Sequence, residues 1–156
     1  MQTYINDYLI VRKNERNKVL KRCRKELKNF EDFDTIAFSG ISGSLMSFTL
    51  AHQLDKEIIV VRKPTVTEPA HSPLPVEGIN PLNKRIVIVD DFVSMGKTIR
   101  YIVKTIKEED KRKNTGPSTC QFVGILLYNQ EYSGTSHCIE DLEIDIINFK
   151  LPGTPS

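Results

Sequence analysis

The chain has 156 residues, 39% of them hydrophobic, and a formal net charge of +2 at neutral pH. A chain of this length forms one hydrophobic core, so we expect a single domain over residues 1–156. The mild charge excludes a surface built entirely for nucleic acid or an anionic membrane. The three cysteines are scattered, which excludes a closed disulfide framework, and no apolar run reaches the roughly 18 residues of a membrane span. These features predict a cytoplasmic protein.

The first predicted element is an amphipathic helix in the N-terminal region 1–30. Apolar residues recur there at spacings of three and four between Val19 and Phe30. Nine lysines and arginines lie between residues 12 and 28. A solvated helix surface is the simpler interpretation of this charge, and a nucleic-acid contact surface is the alternative.

Strands and helices then alternate. Apolar runs predict strands at 35–39, 58–61, 85–91, 121–128 and 144–149, with helices at 44–54 and 97–109. The proline-rich stretch 63–81 has no periodicity and is predicted to be a long flexible loop that covers a site. This order predicts an α/β fold with a Rossmann-like, parallel twisted sheet of about five strands flanked by helices. Residues 128–156 would supply the last strand and a hood.

The strongest chemical signal is the stretch 86–99, IVIVDDFVSMGKTI. A β-branched run of the kind buried in parallel sheets ends in two adjacent carboxylates, Asp90 and Asp91, and turns directly into a helix. The turn offers the hydroxyls of Ser94 and Thr98, backbone N–H groups at a helix N-terminus, and a glycine that allows close approach. Such a site suits a sugar phosphate, with the carboxylates accepting hydrogen bonds from a ribose diol.

Two competing motifs are incomplete in this chain. Gly96-Lys97-Thr98 ends like a nucleoside-triphosphate loop, but Asp91 stands where that loop needs its first glycine. The segment 40–44 is similar to a nucleophile elbow, but a serine stands where the second glycine is required. We therefore expect neither a triphosphate loop nor a nucleophilic serine.

The same stretch resembles the phosphoribosyl-pyrophosphate signature of type I phosphoribosyltransferases: four apolar residues, two acids, two further residues, then Ser/Thr-x-Gly-x-Thr. The resemblance implies transfer of the 5-phosphoribosyl group of 5-phosphoribosyl-1-pyrophosphate (PRPP) to a nucleobase, with release of pyrophosphate. It assigns the ribose to Asp90 and Asp91, with Asp91 as a catalytic residue. It also implies Mg²⁺, held mainly by PRPP and in addition by these two carboxylates. The residues implied to bind the 5-phosphate are Ser94, Met95, Gly96, Lys97 and Thr98.

The resemblance extends to the flanking segments. The residues implied to bind pyrophosphate are Gly40, Ile41, Ser42, Gly43, Ser44, Arg62 and Lys63. The Arg62-Lys63 pair and His71 look most like orotate phosphoribosyltransferases, which implies that Lys63 and His71 act catalytically as a loop closes over pyrophosphate. For His71 an ordinary exposed loop histidine is the alternative. The further loop lysine of the orotate enzymes is absent from residues 65–70, and Ser94 replaces the aspartate of the 6-oxopurine enzymes, so the acceptor base is not assigned.

Other functions on the same fold stay open. A PRPP-sensing regulator would bind nucleic acid through the basic helix without turnover, although the absence of a separate DNA-binding module argues against nucleic acid as a partner. A degenerate or hydrolase-like member would bind the sugar phosphate without a base. Tyr128, Tyr132 and Phe149 are candidates to stack on a base, and core packing is the simpler interpretation for them. The resemblance also implies a homodimer. The absence of a long apolar run predicts that no membrane is a partner.

Overall fold

A computed structural model describes residues 12–63, 75–91, 93, 95–128 and 136–148 of the chain. The helices in these ranges are α1 (Lys13–Lys28), α2 (Gly40–Leu54), α3 (Lys97–Asn114) and a 3-10 helix (Ser136–Leu142). The strands are β1 (Thr35–Ser39), β2 (Glu57–Val61), β3 (Val76–Gly78), β4 (Arg85–Asp90), β5 (Gln121–Leu127) and β6 (Asp145–Asn148). In these ranges, no helix combines the length and the apolar character that a membrane crossing requires.

All six strands join one sheet in the order β3-β2-β1-β4-β5-β6. Five of them are parallel, as the sequence predicts, because helices or long connections return the chain to the same edge before each new strand. The sixth, β3, is antiparallel to β2 and lies inside the stretch 63–81, which the sequence predicts to be loop throughout. That prediction is wrong for 76–78. Three residues are too few to show a strand period, and the strand forms through pairing with β2, where Val76 lies beside Val61 in the core.

Helices cover both faces of the sheet, as predicted. Cys23 of α1 and Leu50 of α2 pack with Val87 on one face, whereas Ile102 of α3 packs with Ile88 on the other. All five side chains are fully buried. Because successive residues of a strand point to opposite faces, a strand buried on both faces has no polar positions, which explains the unbroken apolar run of β4.

α3 is longer than the sequence predicts, continuing five residues beyond Glu109 to Asn114. The extension, DKRKN, contains no apolar residue with which to continue the helical period. Polar contacts stabilise it instead: the buried Glu109 carboxylate accepts a hydrogen bond of 2.6 Å from Arg112 and lies 3.5 Å from Lys113. Periodicity finds helices through their apolar faces and therefore misses a turn that rests on such pairs.

The parallel topology decides where a site can form. β1, β2 and β4 are neighbours in the sheet and end at the same edge, at Ser39, Val61 and Asp90. Ligands of open α/β sheets bind beyond the carboxyl ends of their strands. The segments that follow these three ends are the ones in which the sequence predicts chemistry.

Candidate functional site

A cavity of about 470 Å³ opens at the carboxyl ends of β1, β2 and β4. Three segments far apart in the sequence supply its lining: the first turn of α2, the end of β2, and the connection from β4 to α3. Its lining residues are Ser42, Lys63, Asp90, Asp91, Val93, Met95, Gly96, Lys97, Thr98 and Ile99. Eight of these ten are candidate site residues of the sequence analysis, and Val93 and Ile99 are apolar residues that anchor the connection.

The two carboxylates lie at the floor of this cavity. Asp90 ends β4 and is 5% exposed, and Asp91 is 2% exposed. The Asp91 backbone N–H donates to Asp90 Oδ1 over 2.9 Å, and the Ser42 hydroxyl donates to the same oxygen over 3.4 Å. Burial, together with the neighbouring Asp91 carboxyl, raises the pKa of Asp90 to about 8. Asp90 therefore exchanges a proton near neutral pH, and an arriving cation or hydroxyl donor would favour its ionised form.

The turn that leads into α3, here called the anion turn, comprises residues 95–98. Gly96 occupies the N-cap position with φ of +78°, in the left-handed region. A Cβ atom at Gly96 would lie 2.6 Å from Ile139 Cγ2 and 3.2 Å from Cys138 Sγ, so a side chain does not fit. The first helical hydrogen bond runs from the Arg100 N–H to the Gly96 carbonyl over 3.0 Å. The N–H groups of residues 97–99 precede it, at the positive end of the helix dipole.

The glycine-serine segment 40–44 is the first turn of α2 and not a separate loop, because the helix begins at Gly40, four residues earlier than predicted. Of its five residues only Ser42 lines the cavity. Ile41 is 64% exposed on the outer face, and Gly43 is buried against Phe38. The Ser44 hydroxyl donates to the Ile41 carbonyl over 2.8 Å. The helical turn thus directs these side chains to different sides.

The side chains of the adjacent residues Arg62 and Lys63 make different contacts. Lys63 lies over Gly40, with its Nζ 3.2 Å from where a Cβ of that glycine would be, and it lines the cavity. Arg62 instead donates to the Glu77 carboxylate of β3 over 2.7 Å. It borders a neighbouring apolar cleft beside Gly40 and Ser44. The remaining candidates Ser94, His71, Tyr132 and Phe149 lie outside the described residues.

Tyr128 is a site residue whose role the sequence leaves open between stacking on a base and packing. The structure buries it to 2% exposure, and its hydroxyl donates a short hydrogen bond to the Ser42 carbonyl. It therefore packs, and it ties the end of β5 to the first turn of α2. The contact between Arg100 and Asp141 of the 3-10 helix is also not predicted from the sequence. The two residues are 41 positions apart in the chain, so no local pattern reveals the contact.

No protein-family model and no curated protein matches the sequence. Solved structures do match. The orotate phosphoribosyltransferase from Aeropyrum pernix superposes with a TM-score of 0.66 at 18% identity, covering 88% of this chain and 72% of that one. The adenine phosphoribosyltransferase from Thermoanaerobacter pseudethanolicus superposes with a TM-score of 0.58 at 20% identity, covering 89% of this chain and 81% of that one. The Mycobacterium tuberculosis orotate phosphoribosyltransferase in complex with PRPP superposes with a TM-score of 0.59 at 15% identity, covering 85% of this chain and 71% of that one.

These likenesses establish the fold. The chain has the fold of the type I phosphoribosyltransferases, as the signature stretch 86–99 predicts. It spans 27% of the length of one longer match, a UMP synthase from Leishmania donovani. The proteins matched act on different bases by their names, so the fold alone leaves the acceptor open.

Proposed function

We propose that the chain is a phosphoribosyltransferase that transfers the 5-phosphoribosyl group of PRPP to a nucleobase-like acceptor and releases pyrophosphate. The observation that carries the proposal is that two buried carboxylates and the start of a helix line one cavity. Binding a ribose diol requires hydrogen-bond acceptors, which Asp90 and Asp91 would supply. Binding a phosphate monoester requires hydrogen-bond donors, which the N–H groups at the start of α3 would supply.

The proposed reaction depends on positioning and charge neutralisation. Asp90 and Asp91 orient the ribose, and the anion turn with Ser94 holds the 5-phosphate. Lys63 and Ser42 face the same cavity and would contact the leaving pyrophosphate. Roles for His71, for Arg62 and for the other residues of 40–44 belong to the same proposal and rest on the sequence resemblance.

The resemblance also implies Mg²⁺, and the described residues fit a particular mode of binding it. Among them, no three histidine, cysteine or acidic side chains are grouped to enclose a metal ion. Asp90 and Asp91 supply two adjacent carboxylates at the cavity floor. Mg²⁺ commonly keeps several waters and binds one or two carboxylates plus substrate phosphates, and such an ion would neutralise pyrophosphate charge. The two aspartates would hold it together with PRPP.

The first experiment titrates the protein with PRPP and Mg²⁺ by calorimetry and compares wild type with Asp91→Asn. Loss of a charged hydrogen-bond acceptor should weaken binding by about 10-fold or more. Asp145→Asn, an exposed carboxyl at the opposite edge of the sheet, is the matched control and should bind like wild type. Equal affinity of Asp91→Asn and wild type would contradict the ribose site.

A panel of nucleobases, monitored for pyrophosphate release, then identifies the acceptor. Release with one base would establish turnover and name that base. Tight PRPP binding without release for any base would instead favour the PRPP-sensing regulator.

We also propose a homodimer and a cytoplasmic location. α2 exposes three apolar side chains on one face: Ile41 (64% exposed), Leu45 (37%) and Phe48 (54%). Phe48 packs edge-to-face on Phe38, with the ring centroids 5.2 Å apart, and borders the cleft that contains Gly40. A contiguous exposed apolar face of this kind is typical of a protein interface. The cysteines are free thiols, which suits a reducing compartment.

A further inference from the structure

The 3-10 helix Ser136–Leu142 packs against Gly96 of the anion turn through Cys138 and Ile139, and neither of these two residues lines the cavity. Ile139 is 2% exposed and belongs to the same core cluster as Val93 and Ile99, which flank the turn. Its Cγ2 lies 2.6 Å from the position of a Gly96 Cβ atom. The turn is therefore in contact with a separate element that follows β5.

Arg100 joins this element to the turn. Its backbone N–H donates to the Gly96 carbonyl over 3.0 Å. Its guanidinium donates to both Asp141 oxygens, over 3.0 Å from Nη1 and 2.5 Å from Nη2. Nη2 also donates to the Cys138 carbonyl over 2.5 Å. One residue thus holds the turn through its main chain and the 3-10 helix through its side chain.

These contacts fix geometry more than they stabilise the fold. The side chains of Arg100 and Asp141 are 42% and 66% exposed, and exposed ion pairs contribute little to stability. A planar guanidinium that donates to three acceptors nevertheless restricts the relative orientation of the elements that it bridges. The Lys104–Glu108 pair on the same helix provides a contrast, because its atoms are 3.9 Å apart and both residues belong to α3.

We propose that Arg100 and Asp141 are positioning residues for the phosphate site. By holding the 3-10 helix against Gly96, they keep the N–H groups of residues 97–99 in the orientation that binds a phosphate monoester, without touching the ligand themselves. The inference rests on the proposed function, since it needs a phosphate in the anion turn. It extends that function to a segment in which the sequence shows no chemical motif.

The test compares Arg100→Gln, Arg100→Lys and Asp141→Asn with wild type, using PRPP with Mg²⁺ and inorganic phosphate as probes. Each variant should weaken binding of both probes by about 10-fold, the lower end of what loss of an outer supporting contact costs a bound ligand. The melting temperature should stay unchanged. The double variant Arg100→Gln/Asp141→Asn should bind no more weakly than Arg100→Gln alone, because the Asp141 carboxylate acts only through Arg100. Lys104→Gln is the control and should behave like wild type.

Arg100→Lys separates geometry from charge. Lysine keeps the positive charge but lacks the planar guanidinium that donates several hydrogen bonds at once. Arg100→Lys should therefore weaken binding of both probes as much as Arg100→Gln does. Full affinity in Arg100→Lys would show that Arg100 acts by long-range attraction, which would overturn the proposal. A parallel fall of affinity and melting temperature would overturn it too, because the contact would then be structural.

Hydrogen exchange supplies a readout that needs no ligand. The amides of residues 100–103 make the first helical hydrogen bonds of α3, and they should exchange faster in Arg100→Gln than in wild type or Lys104→Gln. If Arg100→Gln exchanges faster than wild type but wild type itself binds neither probe, the proposed function is refuted while the positioning contact stands. Unchanged exchange together with unchanged affinity would refute the positioning role alone.

Discussion

Asp90 is a carboxyl group whose surroundings favour its protonated form. Burial and the adjacent Asp91 carboxyl raise its pKa to about 8, whereas an aspartate in an unfolded chain titrates near 3.8. Between these two values the folded protein retains a proton that the unfolded chain releases. The stability that Asp90 contributes is therefore complete below about pH 4 and is lost as the pH rises toward 8.

We expect the free energy of unfolding of wild type to fall by at least about 1 kcal/mol more than that of Asp90→Asn between pH 5 and pH 8, since one pKa unit corresponds to about 1.4 kcal/mol. Asparagine does not titrate, so the variant loses this contribution. Urea denaturation at four pH values measures the difference. Asp145→Asn should keep the wild-type slope, and parallel curves for wild type and Asp90→Asn would contradict the raised pKa.

Tyr128 connects two secondary-structure elements, because its hydroxyl hydrogen bond joins the end of β5 to the start of α2. Tyr128→Phe keeps the buried ring and removes one hydrogen bond, so unfolding should become easier by about 1 kcal/mol. Binding of PRPP should weaken as well, since Ser42 loses the contact that fixes its carbonyl. Chemical denaturation and calorimetry check the two effects. Tyr101→Phe, the same change on α3 outside the cavity lining, should leave PRPP affinity unaltered.

Asp110 organises the connection from α3 to β5. It is 1% exposed, and its carboxylate accepts hydrogen bonds from the Thr119 N–H (2.7 Å), the Cys120 N–H (3.0 Å) and the Ser118 hydroxyl (2.9 Å). Although burial opposes ionisation, these hydrogen bonds lower the pKa of Asp110 to about 2. Its contribution to stability is therefore present above pH 4 and is lost as the pH falls toward 2.

Asp110→Ala should destabilise the fold by about 3 kcal/mol at pH 7, because it removes hydrogen bonds to a charged group and leaves two backbone donors without their acceptor. Urea denaturation measures the loss. Glu108→Ala, a neighbouring exposed acid of the same helix, should cost much less. A difference of under about 0.5 kcal/mol between the two variants, which is the usual range for surface changes, would contradict this role.

The elements divide clearly into those that the sequence predicts and those that it does not. β4 and the start of α3 are predictable, because an apolar run, two acids and a glycine turn are adjacent in the chain. β3 depends on β2 for its pairing, and the last turn of α3 depends on ion pairs and on the α3–β5 connection.

In the candidate site, Asp90, Asp91 and residues 95–98 are found from the sequence because they are adjacent in the chain. The different directions of Ile41, Ser42 and Ser44 follow only from where α2 begins, and the Arg100–Asp141 contact follows only from the tertiary fold.

At the scale of the whole molecule, the apolar face of α2 predicts association. If the proposed dimer forms through this face, Phe48→Ser should shift it to a monomer in size-exclusion chromatography with light scattering, because the change removes the largest exposed apolar side chain of that face. Leu82→Ser, at an exposed position distant from α2 in the sequence, is the control and should leave the mass unchanged. A wild-type protein that elutes as a monomer at all concentrations would contradict the dimer.

The central position of β1 in the sheet affects how the chain folds during synthesis. β1 pairs with β2 on one side, but its other neighbour, β4, begins 50 residues after β1 does. Until β4 has left the ribosome, one edge of β1 and the apolar faces of α1 and α2 have no complete core to join. Such late, long-range pairing slows folding and exposes aggregation-prone surface in the meantime. The nascent chain should therefore depend on chaperones until about residue 90 has emerged, and ribosome-bound chains stalled before and after that point would differ in protease resistance.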